Sequence, residues 1–168
     1  KFDVSFNRLT GTLPNCSGAL NLMKFYSVYV NKISGTLPQF IFQMTGLTTL
    51  YMNFNKFSGT IPNTLNKLPV IITLAIDNND LTGSLPNVWP SSIGAAWLQG
   101  NKLTGSIPNS MGGLPLLSEL IIHDNMLSGS IPTSFGLTTS LGYCSMSYNF
   151  LTGNIDLWYI NLSLRSFL

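Results

Sequence analysis

Asn55-Lys56-Phe57-Ser58-Gly59-Thr60-Ile61-Pro62 recurs along the chain in fixed phase. It is preceded by Asn7-Arg8-Leu9-Thr10-Gly11-Thr12-Leu13-Pro14 and by Asn31-Lys32-Ile33-Ser34-Gly35-Thr36-Leu37-Pro38. Further copies begin at Asn79, Asn101 and Asn125, and a seventh from Asn149 ends Gly153-Asn154-Ile155-Asp156, with Asp in place of Pro. The anchoring Asn returns every 24 residues, except for one step of 22 between Asn79 and Asn101. A fixed period of this length is the mark of a stacked-repeat architecture.

Ahead of each Asn the apolar spacing is fixed too. Leu47, Leu50 and Met52 precede Asn55; Ile71, Leu74 and Ile76 precede Asn79; Leu117, Leu120 and Ile122 precede Asn125. The alternation predicts a short strand with one buried face. The Asn that closes it carries a short amide suited to backbone groups left unpaired where the chain bends. Asn7, Asn31, Asn55, Asn79, Asn101, Asn125 and Asn149 are therefore expected to form a structural ladder inside the stack. The Pro that follows suits the first position of a short helical turn, where its missing N–H is harmless. Apolar residues then continue at helix-like spacing, as in Leu65, Leu68 and Ile71. Each unit reads as strand, turn, second extended piece and short helical or 3-10 segment, none able to bury its core alone. The two-residue deletion falls at Val88–Ile93, on the convex side, where length changes leave strand register intact.

The consensus L-x-x-L-x-L-x-x-N-x-[LIF]-[ST]-G-x-[LI]-P resembles the plant-specific class of leucine-rich repeats. That class occurs in plant receptor-like kinase ectodomains, receptor-like proteins and polygalacturonase inhibitors, and similar repeats occur in kinetoplastid surface antigens. The resemblance implies an α/β solenoid: a right-handed superhelix with a parallel concave sheet, short 3-10 or helical convex segments, and a second sheet near Gly-x-[LI]-Pro. It also implies ligand binding on the concave and flanking surfaces. The cysteine-paired terminal caps common in the plant proteins are missing. Residues 1–168 read as one array of about seven repeats, cut at both ends, because Lys1 falls inside a strand and Leu164–Leu168 looks like the start of another. Uncapped ends predict end-to-end association.

Residues lying between the buried strand positions are expected to point outward on the concave face. They form columns, one of which runs Asp3, Ser27, Tyr51, Ala75, Trp97, Ile121, Ser145. Two residues further on come Ser5, Tyr29, Asn53, Asp77, Gln99, His123, Ser147, and next Phe6, Val30, Phe54, Asn78, Gly100, Asp124, Tyr148. The ligand-binding surface expected from these columns is Phe25, Tyr29, Tyr51, Asn53, Asp77, Trp97, Gln99, Glu119, His123 and Asp124. Rigid aromatics in a polar surround offer large contact area with few rotamers to freeze. The position after each Asn holds Arg8, Lys32, Lys56, Asp80, Lys102, Met126 and Phe150, a basic rim broken by Asp80. Solubility explains such a rim better than an anionic partner such as an acidic glycan does.

The composition bounds the function. Only 8% of the 168 residues are charged and the net charge is +2, which excludes the concentrated basic face that nucleic acid demands. No stretch reaches the roughly 20 apolar residues needed to span a bilayer. A chain that owes its solubility to amides and hydroxyls fits an extracellular or cell-surface setting. No nucleophile elbow, phosphate loop or metal-spaced His/Cys cluster is present, so no catalytic residue, metal or cofactor is expected. His123 and Asp77 share a column two strands apart, roughly 10 Å by strand spacing. Cys144 takes a core leucine position and reads as a buried thiol; Cys16 lies too far off in the array to bridge it. Asn15-Cys16-Ser17 and Asn161-Leu162-Ser163 are the two glycosylation sequons. The function expected is non-enzymatic recognition of a protein, peptide or glycan. The alternatives are the sensing segment of a receptor-like kinase whose catalytic domain lies outside the chain, and a structural surface-coat or ice-binding protein.

Overall fold

The computed structural model describes residues 1–15, 20–155 and 166–167. The repeats contribute short strands to two parallel sheets. The concave sheet runs in chain order through Phe2–Asp3, Phe25–Ser27, Thr49–Tyr51, Thr73–Ala75, Ala95–Trp97, Glu119–Ile121, Tyr143–Ser145 and Ser166–Phe167. The second sheet is built from the motif itself: Thr10–Thr12, Lys32–Thr36, Lys56–Thr60, Asp80–Ser84, Lys102–Gly105, Met126–Gly129 and Phe150–Leu151. In the concave sheet Leu50 pairs with Leu74, Leu74 with Ala96, and Ala96 with Leu120. These positions and the motif residues Ile33, Phe57, Leu81, Leu103 and Leu127 merge into one core running the length of the stack.

The Asn ladder forms, and its rungs bond to backbone rather than to one another. Oδ1 of Asn55 accepts from the N–H of Ile33 at 3.0 Å, while its Nδ2 donates to Val28 O at 3.0 Å, both in the preceding repeat. Asn31, Asn79, Asn101, Asn125 and Asn149 repeat the pattern. Asn7, in the first described repeat, has its side chain donating to Val4 O and Ser5 O, within its own turn. Each inner rung therefore fastens two repeats together.

The convex segments among the described residues are short 3-10 turns at Leu20–Leu22, Gln39–Gln43, Leu65–Lys67 and Thr133–Leu137, and an α-turn at Asn109–Gly112. Pro38, Pro108 and Pro132 stand one place earlier than the sequence predicts, in the extended cap position. Their carbonyls accept the first N–H of each turn at 3.1 Å, from Ile41, Met111 and Phe135. In the shortened repeat Val88–Ile93 makes no helical turn, and strand register is kept, with Thr73 opposite Ala95. Trp89 occupies the space: it is 6% exposed, and its indole donates to Pro86 O at 2.7 Å.

One expected concave column proves to be a turn. Phe6, Val30, Phe54, Asn78, Asp124 and Tyr148 all have φ between 50° and 54°, and Gly100 has 64°. Gly, Asn and Asp suit the left-handed region, whereas the β-branched Val30 is strained there. The conformation turns each carbonyl to the preceding repeat, so that Asn31 N donates to Phe54 O at 3.1 Å and Asn7 N to Val30 O at 3.1 Å.

Candidate functional site

The aromatic half of the expected surface comes together. Tyr51 is its hub: Phe25 meets it edge-on at 5.7 Å, Tyr29 at 6.3 Å, and Trp97 lies parallel to it, 6° off coplanar with centroids 6.3 Å apart. Tyr51 and Trp97 come from strands two apart. The intervening Ala75 is fully buried, its small side chain leaving room for the two rings to meet across it. Tyr29, Tyr51, Asn53 and Trp97 line a cleft of about 230 Å³. Tyr29 and Tyr51 also wall a depression of about 470 Å³ that continues past Phe25 to Asp3 and Phe6. The two form a trough across the first five repeats. A wider depression of about 630 Å³ beside the Gly-x-[LI]-Pro turns is lined by residues such as Asn87, Ser106, Asn109 and Ser130 and carries no aromatic or charged side chain.

Two expected surface residues are not open. Asn53 is 8% exposed and Asp77 only 2%, because the large side chains of neighbouring repeats close over positions that strand alternation alone turns outward. Ser27, Ala75 and Ser145 are covered likewise. Asn53 Oδ1, Asp77 Oδ1, Gln99 Oε1 and Trp97 Nε1 are shut off from solvent and have no hydrogen-bond partner. The other Asp77 oxygen accepts from Asn78 Nδ2 at 2.7 Å. Burial raises the Asp77 carboxyl above the ordinary carboxylate range; Asn78, the Asp77 backbone N–H, the nearby Asn53 amide and the charge of His123 pull it part of the way back.

A pH dependence follows. A carboxyl whose folded pKa lies above its unfolded value favours folding fully only below the unfolded value, near 3.8, and that contribution is lost as pH rises through the folded value. Asp77→Asn removes the buried charge. The variant is expected to be roughly 1 kcal/mol more stable than wild type at neutral pH, with the difference shrinking as pH falls toward 4. Urea melts across that range check it; a difference independent of pH would refute the assignment to Asp77.

The acidic half stands apart from the cleft. Glu119 pairs in register with Ala95 and Tyr143, and His123 Nδ1 lies 2.6 Å from Asp124 Oδ2 one repeat beyond Trp97 and Gln99. At the N-terminal end the Ser5 hydroxyl and N–H hold the Asp3 carboxyl below its usual range. The rim residues from Lys32 to Phe150 open the strands of the second sheet, where Asp80 pairs with Lys102 at 2.6 Å. Cys144 is 2% exposed, and burial pushes its thiol up to about 12, which leaves it unreactive at neutral pH. Cys16 and Asn161 lie outside the described residues. Among the described residues no helix is long and apolar enough to cross a membrane.

The leucine-rich-repeat family model matches residues 46–68 and 116–137. No curated protein matches the sequence. Among solved structures, the plant peptide hormone receptor RGFR1 in complex with RGF2 is 33% identical with a TM-score of 0.89, over 96% of this chain and 26% of that one. The Arabidopsis receptor kinase HAESA in complex with the peptide hormone IDA and the co-receptor SERK1 is 31% identical with a TM-score of 0.86, over 97% of this chain and 29% of that one. The chain thus spans between a quarter and a third of the length of these receptor chains. A plant ice-binding protein, 24% identical with a TM-score of 0.62 over 96% of this chain and 72% of its own, shares the fold. The phase of the repeats, the two parallel sheets, the Asn ladder and these likenesses identify the chain as a leucine-rich-repeat protein of the plant type.

Proposed function

We propose that this chain is a recognition module that takes an extended peptide along its concave sheet, within the extracellular part of a cell-surface protein. The observation that carries the reading is the continuous aromatic trough from Phe25 and Tyr29 through Tyr51 to Trp97. Its rings are already packed against one another, so little side-chain entropy remains to be lost on binding. The peptide complexes named for RGFR1 and HAESA support a peptide over a glycan as occupant. Glu119, His123 and Asp124 lie one repeat beyond the trough and would act as polar rim rather than as anchors.

Selection of random octapeptides on the immobilised chain tests this. Selected peptides should lose about 100-fold or more in affinity for the Tyr51→Ala/Trp97→Ala variant, as expected when two aromatic anchors are removed. Circular dichroism should report an unchanged fold. Unchanged affinity would move the site off the trough, and selection of glycans but not peptides on a parallel array would replace the ligand class.

A second reading, the sensing segment of a receptor kinase, is favoured by the receptor kinase among the structures it resembles. It is compatible with the first and concerns the rest of the protein. A membrane-spanning segment followed by kinase motifs in the full-length sequence would establish it; their absence would end it.

A further inference from the structure

Charge is segregated on this molecule. Of the six acidic residues, three (Asp3, Asp77 and Glu119) stand in the concave columns, with Asp124 in the adjoining turn. Among the described basic residues only Lys1 stands there, and Asp3 holds it at 3.3 Å. The chain as a whole carries a net charge of +2, so its concave face opposes its overall sign. Within that face, Asn53, Asp77 and Gln99 occupy one column in three successive repeats. Each carries a side-chain oxygen that is closed to solvent and accepts no hydrogen bond. Buried polar atoms are almost always paired, and a row of unpaired ones is a standing cost to the fold. Such costs persist at sites where a bound group relieves them.

The chemistry of the row selects that group. Three acceptors ask for N–H donors, and a carboxylate among them asks for positive charge. The Tyr51 and Trp97 faces alongside attract a cation through their ring quadrupoles. A guanidinium or ammonium satisfies all three demands. An anionic group would meet the Asp77 carboxylate and the two amide oxygens, and an apolar group would leave the oxygens orphaned.

We infer that Asn53, Asp77 and Gln99, flanked by Tyr51 and Trp97, form a subsite for a basic side chain of the bound peptide, arginine or lysine. Because the oxygens are closed to solvent, a neighbouring side chain must yield for the cation to enter. A small shift of the Trp97 ring, which lies alongside with its Nε1 unpaired and stays stacked on Tyr51, opens the row and sets the indole against the cation.

This subsite rests on the peptide reading of the trough, and the test separates the two. Three N-acetylated octapeptide libraries, alike except for a fixed central Arg, citrulline or Glu, are captured on the immobilised chain and read by mass spectrometry. The best Arg peptide and its citrulline twin are then titrated by calorimetry against wild type and Asp77→Asn. The Arg peptide should bind at least about tenfold more tightly than its twin, the size expected of a charge-assisted contact. Asp77→Asn should reduce that ratio to roughly threefold or less, with most of the change falling on the Arg peptide. The Trp97 indole ¹⁵N–¹H signal, assigned with Trp97→Phe, should shift further with the Arg peptide than with its twin. Equal binding of the twins, a preference for Glu, or a ratio that survives Asp77→Asn would overturn the subsite and leave the trough as a peptide site. Capture from none of the libraries would overturn both.

Discussion

Asn79→Ala is expected to lower the free energy of unfolding by about 3–5 kcal/mol. Asn79 is 9% exposed; its Oδ1 accepts from Phe57 N at 2.9 Å, and its Nδ2 donates to Met52 O, Ile76 O and Asp77 O at 3.1 Å each. Alanine strands the Phe57 N–H beside a fully buried ring and removes a donor from three carbonyls. Each buried orphan costs about 1–3 kcal/mol, with partial relief from relaxation. The loss also crosses a repeat boundary, and solenoid stability is the sum of repeat and nearest-neighbour contributions. Asn7→Ala is the control, since Asn7 is exposed and its side chain is bonded within its own turn. Its expected cost is about 0.5–1 kcal/mol. Urea unfolding of both variants measures the contrast. Equal losses would mean that the ladder does not fasten repeats to one another.

The ladder was legible in the sequence because one short amide does the same task in every repeat, and phase alone exposes it. The strands and the position of the shortened repeat were legible for the same reason. The turn column was not. Phe6, Val30, Phe54 and Tyr148 have no preference for positive φ, and only Gly100, Asn78 and Asp124 hint at it. The conformation is imposed by hydrogen bonds between repeats, such as Asn31 N to Phe54 O, which override local propensity. Trp89 was hidden similarly. Its side chain replaces a helical turn, and nothing in Val88–Ile93 marks it as core until the missing turn is seen.

For the site, strand alternation placed Tyr29, Tyr51, Asn53, Asp77 and Trp97 on one face but could not say which would stay open. That depends on side chains reaching across repeats, above all on Tyr51 and Trp97 meeting across Ala75. Two large rings and a small residue at one phase are the signal that was available. Reading the column for size as well as for chemistry would have pointed to the cleft and to the burial of Asp77 beside it.

Gly112→Ala is the second large loss expected, about 3 kcal/mol, and its cause is close approach. A Cβ on Gly112 would fall 2.4 Å from Phe135 N and 2.5 Å from both Ser134 C and Ser134 Oγ. Two of those contacts are backbone, so no rotamer change relieves them, and the turn Thr133–Leu137 must move outward. Phe135, wholly buried, would be drawn from the core with it. The buried hydrogen bond from the Thr138 hydroxyl to Gly112 O would stretch as well. Gly113→Ala is the discriminating partner, because a Cβ there meets nothing within 4 Å and its φ of −99° is open to any residue. It removes a glycine from the unfolded chain and should stabilise by up to about 0.5–1 kcal/mol. The two variants make the same chemical change one residue apart and are expected to move stability in opposite directions, which thermal or urea melts resolve easily. If both destabilise alike, the convex turn tolerates no side chain for reasons of backbone conformation. If neither does, the repeats on that side have room to slide, and the tight packing of Asn109–Gly112 on Thr133–Leu137 does not set their spacing.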